Sequence, residues 1–236
     1  METLIIYYIV TSNYKMGFEH FKKNLHYFFP KFKKTVIIIS DGLKEWDNIE
    51  ENGICYKVHH IHHFCWPIIT LFKMKLICDF WEEGDYACYF NGNLECNINY
   101  DYENTNIQFN KLNVSTHICS NDELIYDDEY FANISKNSQA YIFKKYKYKY
   151  IQAGFFFGPS HIVYNMCEYV SKMCEIDLKN NIIPQWHDES YLNKWCVNNE
   201  HLTNKDRFMS LGFQDNCIVG LCDTIKKDRY CTHKII

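Results

Sequence analysis

The sequence predicts an α/β fold, and three observations carry that prediction. Residues Leu4–Val10 (LIIYYIV) and Thr35–Ser40 (TVIIIS) are short apolar runs rich in β-branched side chains, as strands buried on both faces are. Between them Phe18, Phe21, Leu25 and Phe28 recur at helical spacing, with Pro30 just beyond. Strand, helix and strand in this order form a right-handed βαβ unit, whose strands run parallel.

The other elements follow in order. Gly53–Phe64 (GICYKVHHIHHF) reads as a strand and its exit. Trp66–Gly84 reads as a helix with Pro67 in its first turn and Gly84 at its end, burying Ile69, Phe72, Leu76 and Phe80. Tyr86–Phe90 (YACYF) is a third buried strand, and it delivers Asn91-Gly92-Asn93 at its C-terminal end. Open α/β sheets bind ligands at those ends, so position alone makes the Asn pair a candidate. From Asn99 to Lys149 the chain is polar and weakly periodic, suggesting short strands and a mobile loop. Gly154–Glu175 predicts a strand, a Gly158-Pro159 turn, and a helix turning Ile162, Met166, Tyr169 and Met173 inward. Asp188 helps to start a short helix, and Asn216–Cys222 is a last strand before a basic tail.

At 236 residues, 47% of them hydrophobic, the chain can bury a substantial core. A formal charge of -4 argues against a general nucleic-acid binder. METLIIYYIV lacks the basic start and small-residue cleavage site of a signal peptide, and no apolar run is long enough to span a membrane. The expectation is a soluble, cytoplasmic protein. Its 12 cysteines are scattered through strand and helix patterns, as buried reduced thiols are. The sequons at Asn113 and Asn133 matter only in a secreted chain.

Four constellations carry possible chemistry. His59, His60, His62, His63 and Cys65 crowd together, but adjacent strand residues point to opposite faces and the spacing matches no zinc module. KYKYKY interleaves base and aromatic as single-strand binders do, without a wider basic field to support that reading. Lys226, Lys227, Arg229 and Lys234 give the tail its charge, either as a solvated end or as a clamp over a diphosphate. Trp186-His187-Asp188-Glu189 joins an aromatic platform, an imidazole and two carboxylates at a helix start. The carboxylates suit the positive helix end, and they equally suit a sugar's hydroxyls and a developing oxocarbenium ion.

Taken together, these stretches resemble the family-6 glycosyltransferases, which include the histo-blood-group A and B transferases, α-1,3-galactosyltransferase and shorter bacterial relatives. The resemblance rests on YYIVTSNYKMGFEHF, WPIITLFKMK, YFNGNLE, YIQAGFFFG and IIPQWHDESYLNKW, in that order along most of the chain. It implies a GT-A fold: one Rossmann-like nucleotide-binding domain with a mixed sheet. Residues 1–98 would mainly bind UDP, 99–222 would carry acceptor and catalytic groups, and 223–236 would be the basic tail. It also implies retaining transfer of galactose or N-acetylgalactosamine from a UDP-sugar, forming an α-1,3 bond to a galactose-containing acceptor, fucosylated or not. By resemblance Ile9, Val10 and Tyr14 surround uracil and ribose, Thr70 and Lys73 lie near the donor, and Asn91 and Asn93 face ribose and diphosphate. Trp186 and His187 meet the acceptor and Asp188 the transferred sugar. Glu189 is the catalytic carboxylate, acting covalently or by stabilising a same-face ion pair. Gln152, Ala153 and Gly154 occupy the donor-selecting segment, where a glycine leaves room for an N-acetyl group.

Bacterial members of the family carry Asn-X-Asn where the animal enzymes carry Asp-X-Asp. Two neutral amides supply no charge for Mg²⁺ or Mn²⁺, so metal-independent transfer is expected, with metal dependence as the alternative. The tail cations would then neutralise departing UDP. Ile68-Ile69, FFFGP and the poorly matching middle region depart from the family pattern and bear on the acceptor. The rival readings are an inactive UDP-sugar or glycan-binding protein of this fold, a metal-free enzyme with another donor, and a zinc-bound interaction domain.

Overall fold

The computed structural model describes residues 1–11, 15–42, 47–116, 135–143, 149–210 and 217–221. Among them, β1 (Thr3–Val10) pairs in parallel with β2 (Lys33–Ser40) on one side and β5 (Tyr86–Asn91) on the other. Beyond β2 lie β4 (Ile54–His60), parallel, and β3 (Ile49–Glu51), antiparallel. Beyond β5 lie β8 (Ile151–Pro159) and β7 (Leu112–Thr116), each antiparallel to its inner neighbour, then β9 (Thr203–Asp206). The result is a mixed eight-stranded sheet of order β3-β4-β2-β1-β5-β8-β7-β9, consistent with a GT-A-like fold. A small second sheet joins β6 (Leu94–Cys96), β10 (Met209–Ser210) and β11 (Val219–Leu221).

The unbroken apolar runs are explained by helices on both faces. Ile5, Tyr7 and Ile9 point to one core, with Leu71, Met74 and Ile77 of α2 (Ile68–Asp79), Met166 of α3 (Ser160–Lys179) and Leu192 of α4 (His187–Asn198). Leu4, Ile6, Tyr8 and Val10 point the other way, onto Phe18 and Phe21 of α1 (Lys15–Asn24) and on to Leu25 and Phe28. A strand of period two covered on both sides has no polar face to show.

Several local expectations differ from what forms. Helix α2 stops at Asp79, short of Gly84. Its most buried apolar residues are Leu71, Met74 and Ile77, while Ile69, Phe72 and Phe80 pack at the margin of the core. Gly84 serves close packing instead, since a Cβ there would sit 2.7 Å from Ile5 Cγ1. Gly158-Pro159 is not a turn: β8 stays paired to Pro159, opposite Tyr86, and α3 begins at the next residue. A Cβ at Gly158 would lie 2.8 Å from the carbonyl oxygen of Lys111, which directly precedes β7. Strand β7 is one of the short strands expected between Asn99 and Lys149, whereas β9 and β10 are additions that their short sequences did not announce.

The segment Ser138–Gln139 is tied to α3 by a buried carboxylate. Asp177 accepts hydrogen bonds from Ser138 Oγ at 2.5 Å, Tyr191 Oη at 2.9 Å and the Gln139 N–H at 2.9 Å. A buried charge is tolerated when its lone pairs are satisfied in this way.

Candidate active site

Five elements, β1, β5, β8, α2 and α4, meet at the C-terminal end of β1 and β5. Strand β5 ends at Asn91, level with Ile9 of β1, and its pairing with β8 ends at Phe90 opposite Phe155, next to Gly154. Helix α2 lies behind these strand ends, and the first turn of α4 brings in Asp188 and Glu189. Both carboxylates sit where the positive end of a helix dipole favours them.

Ala153 is the junction. Its N–H donates to Glu189 Oε2 at 2.9 Å, and its carbonyl accepts from Lys73 Nζ at 2.8 Å. Lys73 Nζ also donates to Asp188 Oδ2 at 2.6 Å, and both partners are buried. Burial opposes the Lys73 charge, but Asp188, Tyr89 and Glu189 outweigh it and hold its pKa above the ordinary lysine value. Burial pushes the Glu189 carboxyl up to about 7, against the pull of the Ala153 N–H and the Tyr150 hydroxyl. Burial likewise depresses His187 below the usual imidazole value, with Asp188 pulling the other way. Two adjacent carboxyl groups thus occupy different environments, one ion-paired and one desolvated, as acid–base and nucleophilic sites require.

The Asn pair is reached through Tyr89. Lys73 Nζ lies 4.9 Å from the centroid of the Tyr89 ring. The Tyr89 hydroxyl donates to Asn91 Oδ1 at 3.0 Å, and Asn91 Nδ2 donates to Asn93 Oδ1 at 2.7 Å. The turn between them is pinned by Tyr8 Oη, which donates to the Gly92 carbonyl at 2.9 Å. Both amide oxygens of the pair are therefore already engaged. Each oxygen accepts one hydrogen bond, and two neutral amides bring no negative charge to a divalent cation. Among the described residues no three His, Cys, Asp or Glu side chains converge as metal ligands. In the histidine-rich segment, His59 stacks on Phe80 with ring centroids 4.4 Å apart, and His63 Nδ1 lies 2.5 Å from Asp41 Oδ2.

Thr70 turns its hydroxyl back along its own helix, donating to the Pro67 carbonyl at 2.7 Å. Val10 is fully buried. Gln152 and Gly154 flank Ala153, and Gln152 Oε1 is buried without a hydrogen-bond partner among the described residues. The space beside Gly154 is occupied: a Cβ there would lie 2.8 Å from Met209 Cε, so Met209 fills the room that the sequence offered to an N-acetyl group. His187 adopts φ 48°, a left-handed conformation unusual for histidine. Its ring meets Trp66 edge-on at 5.0 Å, and Trp66 is 70% exposed. Trp186 is half-buried beside them. Tyr14 and the tail residues Lys226, Lys227, Arg229 and Lys234 lie outside the described residues.

Trp66, Tyr89, Tyr150 and Met209 are the site residues that sequence reasoning passed over. Trp66, which directly precedes Pro67, was legible as an aromatic at a helix entrance. Tyr89 was hidden inside a strand that reads as plain core.

A cleft of about 400 Å³, lined by Trp81, Glu83, Asp85, Ser160, His161 and Tyr164, lies at the opposite end of the sheet, where β5 and α3 begin. It is remote from the strand ends that bind ligands in such sheets.

A family model described as Glycosyltransferase family 6 matches residues 21–212. The chain is also similar to the O-antigen biosynthesis glycosyltransferase WbnI of Escherichia coli, with 26% identity over 213 residues that cover 84% of this chain and 83% of that one.

Proposed function

The chain belongs to glycosyltransferase family 6, and from that premise we propose a retaining transferase that works without a divalent metal. It moves N-acetylgalactosamine or galactose from a UDP-sugar to a galactose-containing acceptor, forming an α-1,3 bond. The observation that carries this reading is Glu189, a desolvated carboxylate held by the Ala153 N–H beside the Lys73–Asp188 pair.

In the reaction the bond from the anomeric carbon to the diphosphate breaks, and its electron pair leaves with UDP. The acceptor hydroxyl enters on the same face, and its proton passes to the departing diphosphate. Glu189 faces the positive charge that develops on the sugar, as a covalent nucleophile or as its electrostatic partner. A carboxylate whose surroundings favour the neutral form gains from a neighbouring cation as the transition state forms. Asp188 gives one oxygen to Lys73, and the other serves a hydroxyl of the transferred sugar. Trp186 and His187, with the exposed Trp66, form the acceptor platform.

Ile9, Asn91 and Asn93 line the nucleotide side, and the tail cations Lys226, Lys227, Arg229 and Lys234 neutralise the departing diphosphate. The engaged oxygens of the Asn pair support a metal-free site. Similarity to an O-antigen biosynthesis enzyme supports an acceptor that is a surface-polysaccharide precursor or a free oligosaccharide, modified on the cytoplasmic side. Among the described residues no helix is long and apolar enough to cross a membrane.

The test is UDP release and product mass with UDP-N-acetylgalactosamine or UDP-galactose and a fucosylated lactose, in EDTA and in Mn²⁺. Transfer in EDTA that Glu189→Gln abolishes is the expected result. Transfer only in Mn²⁺ would overturn the metal-free part, and full activity of the variant would overturn the role of Glu189.

A further inference from the structure

We propose that Tyr89 is a positioning residue: held beside Lys73, it sets the direction of the amide hydrogen bonds so that Asn91 and Asn93 turn N–H donors, not oxygens, toward a nucleoside diphosphate. This inference rests on the UDP-sugar reading above and gives it a mechanism.

The direction of the chain follows from what each group can do. An ammonium has hydrogens and no lone pair, so Lys73 can meet the phenol only as donor or as cation over the ring. Two of its hydrogens go to Asp188 Oδ2 and the Ala153 carbonyl, which fixes it beneath the Tyr89 ring. The phenol oxygen is thereby biased to accept from the lysine side and to send its own hydrogen to Asn91 Oδ1. Asn91, with its oxygen facing Tyr89, has its amino group facing Asn93 Oδ1. The reverse order would bring the Asn91 N–H against the phenol and turn the phenol hydrogen toward a cation.

The hydrogens that remain are donors without a partner. The amino group of Asn93 and the second N–H of Asn91 have no hydrogen-bond partner among the described residues, and both side chains are only half-buried. The pair therefore presents a small array of N–H groups that matches phosphate oxygens, while each of its oxygens already accepts one hydrogen bond. One buried lysine, which touches neither asparagine, acts through the phenol to give the turn its polarity. A phenylalanine at 89 would fill the same space in the core, between Lys73 and Phe156, without setting that direction.

The experiment is calorimetric titration of the full chain with UDP, UMP and uridine in EDTA. Tyr89→Phe is expected to weaken UDP about tenfold, as the loss of one oriented hydrogen bond does, and to leave uridine unchanged. In an Asn91→Ala background the same substitution should have no further effect, because the group it orients is gone. Equal losses for UDP and uridine, or an undiminished loss in the Asn91→Ala background, would reduce Tyr89 to a packing role and overturn the proposal. Tight UDP binding unaffected by Tyr89→Phe would overturn it while leaving the UDP-sugar reading intact. Failure of the unaltered chain to bind UDP would overturn both. If the variant does not fold, the unaltered protein still decides through its ¹⁵N-labelled side-chain amides. UDP must shift the Asn93 amino protons, and unmoved protons overturn the proposal.

Discussion

Replacing Glu189 with glutamine should make the protein more stable as it makes it inactive, and the gain should depend on pH. In the folded chain burial raises the carboxyl from about 4.5 to about 7. A carboxyl with a raised folded pKa favours the folded state below its unfolded value, and that advantage is lost as pH climbs through the folded value. Each pH unit between the two is worth about 1.4 kcal/mol, and the partial exposure of Glu189 trims the sum, so the loss is about 2 to 3 kcal/mol. Glutamine keeps an oxygen for the Ala153 N–H and removes the ionisation. Urea titrations at about pH 4.5 and pH 8 should therefore give curves that diverge, with the variant gaining by that amount at the higher pH. Groups elsewhere titrate equally in both proteins and cancel. Parallel stability profiles would mean that Glu189 is well solvated, and the argument from its environment to its chemistry would fail.

Turnover should fall as pH drops below about 7, because the ionised Glu189 is the working form; a rate flat between about pH 5.5 and 8 would exclude it as the reacting carboxylate. Lys73→Met should cost about 3–5 kcal/mol in urea denaturation by leaving Asp188 buried without its cation, and adding Asp188→Asn should restore part of that loss. Gly158→Ala should destabilise by about 1–3 kcal/mol, since its Cβ would press on the Lys111 backbone. Gly154→Ala should cost less, because the group it meets is the mobile end of Met209; equal melting temperatures for the two variants would contradict this.

The parallel half of the sheet was legible because its strands are short, apolar and separated by turn residues or a helical period. Of the antiparallel half, β8 was read as a strand, and β7 only as one of the short strands of a weakly periodic region. Strand β7 (LNVST) and strand β9 (TNKD) owe their structure to partners far away in sequence, which no local pattern encodes. Gly158-Pro159 misled because a strand that runs straight into a helix uses the same residues as a turn. In the site, Asp188 and Glu189 stood out as adjacent carboxylates at a helix start. Lys73 was expected near the donor, and the structure sets it among the buried residues as the partner of Asp188. Spacing cannot reveal that role, because the two lie 115 residues apart. Room for an N-acetyl group beside Gly154 was inferred from glycine alone, whereas Met209 enters that space from another sheet.

The place of β8 has a consequence for how the protein comes to exist. Five neighbouring strands, β3-β4-β2-β1-β5, are complete once residue 91 has been made. Strand β8 then has to enter beside β5, carrying Ala153, before α4 can bring Glu189 to it. Closing so long a loop is slow compared with building the βαβ units that precede it. During synthesis the chain therefore has Asn91 and Asn93 in place well before Glu189. An arrested or truncated chain ending before β8 would expose the edge of β5, a strand ready to pair with whatever strand arrives first.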